Sequence, residues 1–156
     1  MSRNFYIGFL TVLTILSVSG VMLFVYKTKT SDLLTADFGG MSLRIDYATT
    51  TMAREKGLGG RTDISSDYGM LFVFPKDDYY GFWMKNMLIP IDIFWLDNKG
   101  QVVSIAEDVS ASSYPNVFYP SEPARYVLET AAGFAREYGI GIGTPLLLKN
   151  FPIVSE

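Results

Sequence analysis

The 22 residues from Phe5 to Tyr26 carry no charge, and no other stretch of the chain restricts its folding so strongly. At about 1.5 Å per residue a helix of that length spans roughly 33 Å, close to the thickness of a bilayer's hydrocarbon core. Phe5 and Tyr6 stand at one end and Phe24 and Tyr26 at the other, where aromatic side chains favour the headgroup level. Lys27 and Lys29 then close the run. Residues 1–4 are thus expected to be a short tail, 5–26 a transmembrane helix lodged in lipid, 27–38 a tether, and 39–156 a single β domain. The apolar run continues through Val21–Val25, longer than the usual core of a cleaved signal peptide. It therefore reads as a signal anchor, a single pass in the cell membrane with the C-terminal domain outside the cytoplasm.

The remainder has the composition of a packed domain. Hydrophobic residues make up 49% of the chain and aromatics 15%, well outside the range of disordered sequences. Sixteen acids less Asp32 leave 15 from Ala36 onward, and 13 bases less Arg3, Lys27 and Lys29 leave 10, a net charge of −5. That balance opposes a phosphate-gripping role, so nucleic acid is not an expected partner. Gly57, Gly59 and Gly60 lack the Lys-Ser/Thr ending of a phosphate loop. The chain has neither Cys nor His, which removes disulfides, thiolate nucleophiles, imidazole bases and His-ligated zinc. No metal or cofactor is expected.

Ser42–Ala48 alternates apolar and polar positions, the period of a half-buried strand. Thr49–Lys56 reads as a short helical turn capped by Thr51 and ended by Gly57. Gly69–Phe74 is nearly all apolar and reads as a core strand stopped by Pro75, and Tyr80–Met84 follows. Ile91–Leu96 and Gln101–Ala106 flank Asp97-Asn98-Lys99-Gly100 and read as a hairpin. Ser110–Pro123 is a loop rich in Ser, Pro and Tyr. Arg125–Glu129 reads as a strand, Thr130–Tyr138 as a helix with Gly139 as its C-cap, and Thr144–Leu148 as the last strand. The expected fold is mainly β: a sandwich or partly closed barrel of six to eight short strands with one or two short helices.

Four blocks, in order, are Gly57-Leu58 with Arg61; Gly69-Met-Leu-Phe-Val-Phe-Pro75; Phe82-Trp-Met-Lys-Asn86 with Ile89-Pro-Ile-Asp-Ile93; and Tyr126-Val-Leu-Glu129 with Ala132-Gly133. Together they resemble domain-of-unknown-function family 192, over about Arg44 to Leu148. The third block is the most specific. Met87 departs from the Thr more usual in that family, and Gly59-Gly60 from bulkier residues. The resemblance implies a compact β-sandwich-like fold, often behind a signal or anchor segment, and no set of catalytic residues.

Three side chains stand out as candidates for chemistry. Asp92 lies inside Ile-Asp-Ile-Phe-Trp-Leu, where a lone carboxylate is costly unless paired, and Lys85 or Arg61 is its natural partner. Glu129 precedes the expected helix and could serve that helix's free N–H groups. If Asp92 and Glu129 converged, with Lys85 beside them, a carboxylate-dependent envelope hydrolase or carbohydrate-active enzyme would be conceivable. Lys85, Asn86, Asp92 and Arg61 form a candidate polar binding cluster, and Tyr114, Phe118 and Tyr119 a candidate contact loop. Asp77-Asp78 and Glu107-Asp108 read as solvated loop charge. The expectation that fits the anchor and the missing His and Cys is a membrane-tethered, non-catalytic binding or accessory subunit. Its β domain would dock on a protein partner in a membrane complex or the cell envelope.

Overall fold

The alternation of Ser42–Ala48 is realised in strand β2 (Met41–Ala48), which pairs antiparallel with β1 (Leu34–Phe38) and parallel with β3 (Tyr68–Asp78). The structure, a computed structural model, describes residues 34–149. The transmembrane helix expected over residues 5–26 lies outside them. No helix among the described residues is long and apolar enough to cross a membrane.

Seven strands form one sheet in the order β6-β5-β8-β3-β2-β1-β9, with β5 (Ile91–Leu96), β6 (Val102–Val109), β8 (Ala124–Ala131) and β9 (Leu146–Lys149). The sheet curls so that its two edge strands meet at one end. Gln101 and Pro145 form a β-bridge there, and Leu146 donates its N–H to the Gly100 carbonyl at 2.9 Å. Of the two expected architectures, the partly closed barrel is the observed one. The parallel β2–β3 pair requires a crossover. It carries helix α1 (Thr51–Lys56) and a loop that returns by Asp67.

Successive strand residues point to opposite faces, and each face has its own apolar cluster. The inner one takes a side chain from every strand of the sheet, including Phe38, Leu43, Leu71, Phe94 and Leu128. Phe134, Ala135 and Ile140 from in and around helix α2 (Phe134–Tyr138) plug it. The outer cluster includes Phe72, Ile93, Trp95 and Val127. It is joined by residues of a separate two-stranded ribbon, β4 (Phe82–Trp83) with β7 (Val117–Phe118). β5 is buried on both faces, which explains why its sequence lacks alternation.

Several boundaries differ from the sequence-based expectation. Leu34–Phe38, assigned to the tether, is strand β1, held between β2 and β9. Thr50, not Thr51, caps α1, its hydroxyl accepting from the Ala53 N–H at 3.2 Å. β3 runs past Pro75 to Asp78, but its ladder with β8 is interrupted between Val73 and Asp78, as expected where proline supplies no N–H. Thr130 and Ala131 belong to β8 and not to the following helix, because Asp92 and Ile91 pair with them across the sheet. Within the loop Ser110–Pro123 lie a 3-10 turn at Ala111–Ser113, a cis Tyr114–Pro115 bond and strand β7.

Candidate functional site

On the outer face, α1, the β4 segment and the turn after it enclose a cavity of about 220 Å³ over β3 and β8. Phe72 from β3 and Glu129 from β8 lie on the sheet side. Phe74, Phe82 and Trp83 supply aromatic walls, and Gly57, Lys56 and Lys85 are among the other lining residues. The walls are braced by ring contacts. Phe72 meets Phe82 edge-on at 4.9 Å between centroids, Phe82 meets Trp95 edge-on at 6.1 Å, and Phe74 stacks on Tyr80 at 3.6 Å. The Arg54 guanidinium lies 5.2 Å over the Phe74 ring and donates to the carbonyls of Thr49 and Val73 at 2.6 and 3.0 Å. It thereby fastens α1 to its surroundings.

Glu129 is the unusual member. It is 4% exposed, and its Oε2 has no hydrogen-bond partner among the described residues. Burial in these apolar surroundings raises the carboxyl to about 8, so at neutral pH it is mainly protonated and can donate a hydrogen bond. Gly57 closes over it: a Cβ built there would stand 3.7 Å from Glu129 Oε2 and 3.3 Å from the Phe72 ring. A backbone at φ +49° and the close ring both favour the residue that has no side chain.

Asp92 has a different role. It is fully buried, and its oxygens accept the backbone N–H groups of Asp108 at 2.8 Å, Gly133 at 3.1 Å and Ala135 at 2.8 Å. Its expected partners Lys85 and Arg61 are not the groups that bond it. The free N–H groups at the start of α2, assigned from sequence to Glu129, are taken up by Asp92 instead. The reason is register: Asp92 lies opposite Thr130 and Ile93 opposite Glu129, so the two carboxylates point to opposite faces of the sheet. The paired carboxylates of the hydrolase expectation are therefore not brought together.

The remaining candidates disperse. Lys85 is exposed on the cavity wall. Asn86 serves the turn, with φ +60° and its carbonyl accepting the Gly60 N–H at 2.9 Å, a conformation asparagine tolerates. Arg61 lies over the Tyr68 ring at 4.7 Å, donates to the Tyr68 hydroxyl at 2.9 Å and pairs with Asp46 at 3.4 Å. The Tyr68 hydroxyl donates to Asp46 at 2.7 Å, and its ionisation is pushed up, first by burial and then by that carboxylate. Arg61 lines a neighbouring cavity of about 320 Å³ that shares Lys56 and Gly57 with the first. Phe118 pairs with Phe82 in the ribbon, while Tyr114 and Tyr119 stand exposed outside the Glu129 cavity. Asp77 pairs with Arg125 and Asp108 with Arg136. Among the described residues no group of three or more acidic side chains is placed to hold a metal ion.

The DUF192 profile, described as "Uncharacterized ACR", matches residues 33–148. The chain belongs to the DUF192 family. Gly57, Phe72, Phe82, Trp83, Lys85 and Glu129, all within the blocks by which the sequence resembles DUF192, line the one cavity. A UPF0127 protein of Thermococcus gammatolerans is 29% identical over 101 residues, covering 64% of this chain and 62% of that protein. The chain thus spans about three fifths of the length of the curated relative it matches. Two solved structures are similar. One, a candidate transcription regulator from Sinorhizobium meliloti 1021, has a TM-score of 0.69 at 29% identity, covering 74% of this chain and 91% of that one. The other, a protein of unknown function from Novosphingobium aromaticivorans DSM 12444, has a TM-score of 0.67 at 30% identity, covering 76% and 88%.

Lys56, Phe72, Phe74, Phe82 and Trp83 are cavity residues that sequence reasoning missed or assigned to ordinary core. Trp83, read from sequence as core, is 49% exposed. Nothing local could tie it to Gly57 or Glu129, since the three come from separate elements.

Proposed function

We propose that this DUF192 chain is a membrane-tethered, non-catalytic binding module whose β domain receives a small ligand in the cavity over Glu129. One observation carries the proposal: a 4%-exposed carboxyl with an unpartnered oxygen lies in the wall of a formed, largely aromatic cavity. Leaving such an atom unpaired costs about 1–3 kcal/mol, a cost that a ligand's polar group would relieve. Apolar pockets holding a few convergent polar groups are the common form of small-molecule sites. Binding fits better than hydrolysis because the second carboxylate is turned away and already bonded. The acid excess from Ala36 onward opposes a phosphate-gripping role for this chain.

The tether is supported by the uncharged run Phe5–Tyr26. Docking on a membrane or envelope partner is supported by the exposed Trp83, Leu88, Tyr114 and Tyr119. Amide NMR of the full-length chain in nanodiscs against a panel of small fragments tests the cavity. Shifts should cluster at Gly57, Phe72 and Glu129. A panel that perturbs other surfaces and leaves these amides still would overturn the proposal. For the tether, carbonate-washed membranes should retain the chain, and its release into the aqueous fraction would refute that part.

A further inference from the structure

The lining of the cavity narrows the chemistry of what it can hold. A cavity of about 150 Å³ admits benzene, so 220 Å³ suits one ring, or a short chain, bearing one or two substituents. The walls Phe72, Phe74, Phe82 and Trp83 favour a flat apolar body. The two ends differ. At the solvent side Lys56 and Lys85 are exposed, and among the described residues neither is in an ion pair. With Arg54 they outnumber Glu55, the one acidic side chain of the lining besides Glu129. On the sheet side stands the unpartnered Oε2 of Glu129.

We propose that the cavity binds a small organic acid: its carboxylate at the mouth on Lys56 and Lys85, its apolar body among the four aromatic rings, and an oxygen at its far end accepting a hydrogen bond from the Glu129 carboxyl. This rests on the binding role proposed above and specifies its ligand class. An organic cation, which aromatic walls and a carboxylate would otherwise suit, is opposed from two sides. The mouth is positive, and burial raises Glu129 to about 8, so the group facing the ligand is a neutral donor at pH 7. The charged groups that face it come from α1 (Arg54, Glu55, Lys56) and from the turn after β4 (Lys85). The adjoining strands present Met70, Phe72 and Ile93 at its level. The acids of those strands, Asp77, Asp78 and Asp92, do not line the cavity.

Three probes of similar size separate the alternatives by calorimetry and amide NMR on the full-length chain in nanodiscs: 4-hydroxybenzoate, benzoate and phenyltrimethylammonium. 4-Hydroxybenzoate should bind at least about 10-fold more tightly than the cation and several-fold more tightly than benzoate, which lacks the far oxygen. E129Q retains an N–H donor and should stay within about 3-fold of wild type, while E129L should lose about 10-fold. K56Q and K85Q should each weaken the two acids and leave the cation unchanged or tighter. Wild-type affinity for 4-hydroxybenzoate should fall above pH 8, and E129Q should not show that fall. Tighter binding of the cation, abolished in E129Q, would overturn the organic-acid class and leave the cavity standing as a binding site. Failure of all three probes to move Gly57, Phe72 or Glu129 at 10-millimolar order would overturn both.

Discussion

Replacing Glu129 with glutamine should remove a pH-dependent instability from the native state. In the unfolded chain this carboxyl has its ordinary value of 4.5, and in the fold burial raises it to about 8. Below 4.5 both states hold the proton and the residue adds no pH dependence. Between 4.5 and about 8 the native state keeps a proton that the unfolded chain has lost, so stability falls as pH rises; above about 8 both have lost it and the slope ends. At about 1.36 kcal/mol per unit, the loss reaches about 3 kcal/mol at pH 7 and about 5 kcal/mol above pH 8. Urea unfolding of wild type and E129Q at intervals from pH 5 to 9, followed by fluorescence of Trp83 and Trp95, measures it. The difference between the two proteins isolates this group from other titrations. It should widen in favour of E129Q by about 1.4 kcal/mol per pH unit and level off near pH 8. Curves that stay parallel throughout would refute the burial of an uncompensated carboxyl.

Asp92→Ala should cost about 3–5 kcal/mol, because the N–H groups of Asp108, Gly133 and Ala135, the last of them buried, lose their acceptor. Amide exchange at Asp108, Gly133 and Ala135 should accelerate ahead of the rest of the domain, and uniform acceleration would argue against a local capping role. Gly57→Val should close the cavity and force a side chain onto a backbone at φ +49°, costing about 1–3 kcal/mol. Its fragment-induced shifts at Phe72 and Glu129 should vanish even where thermal melts show it folded, and retained shifts would contradict the placement of Gly57. In Gly81→Ala the new Cβ would stand 2.6 Å from the Tyr119 ring, so Tyr119 should be displaced from β4, read as a changed ring shift. Trp95→Phe loses the indole N–H bond to the Tyr80 carbonyl at 2.8 Å, for a denaturation loss of about 1–3 kcal/mol.

Much of the sheet was legible because its strands advertise themselves locally. Ser42–Ala48 alternates, and the Asp97–Gly100 turn separates two apolar runs into the hairpin of β5 and β6. Leu34–Phe38 was not legible as a strand, since only Ala36 and Phe38 are buried and its pairing with β9 spans the domain. Thr130–Ala131 has spacing compatible with a helix, and pairing with β5, and at Thr130 also with β3, keeps it extended. Asp92 and Glu129 show the harder limit. Both are carboxylates within apolar strands, and composition singled out both. Which one meets the α2 N–H groups and which is left in a cavity follows from inter-strand register, a property no local window contains. Lys85, singled out from sequence as a partner for Asp92, lines the cavity instead, and its neighbours there come from α1, β3 and β8 and are assembled by the crossover.

Carbon-13 NMR of the Glu129 side-chain carboxyl, followed from pH 4 to 10 in the ligand-free chain, tests most directly whether this group is buried, neutral and uncommitted. A single titration step with its midpoint near 8 is the expected result. A midpoint near the ordinary 4.5 would mean that the carboxyl reaches water or a cation, and the cavity would then have no neutral donor to offer.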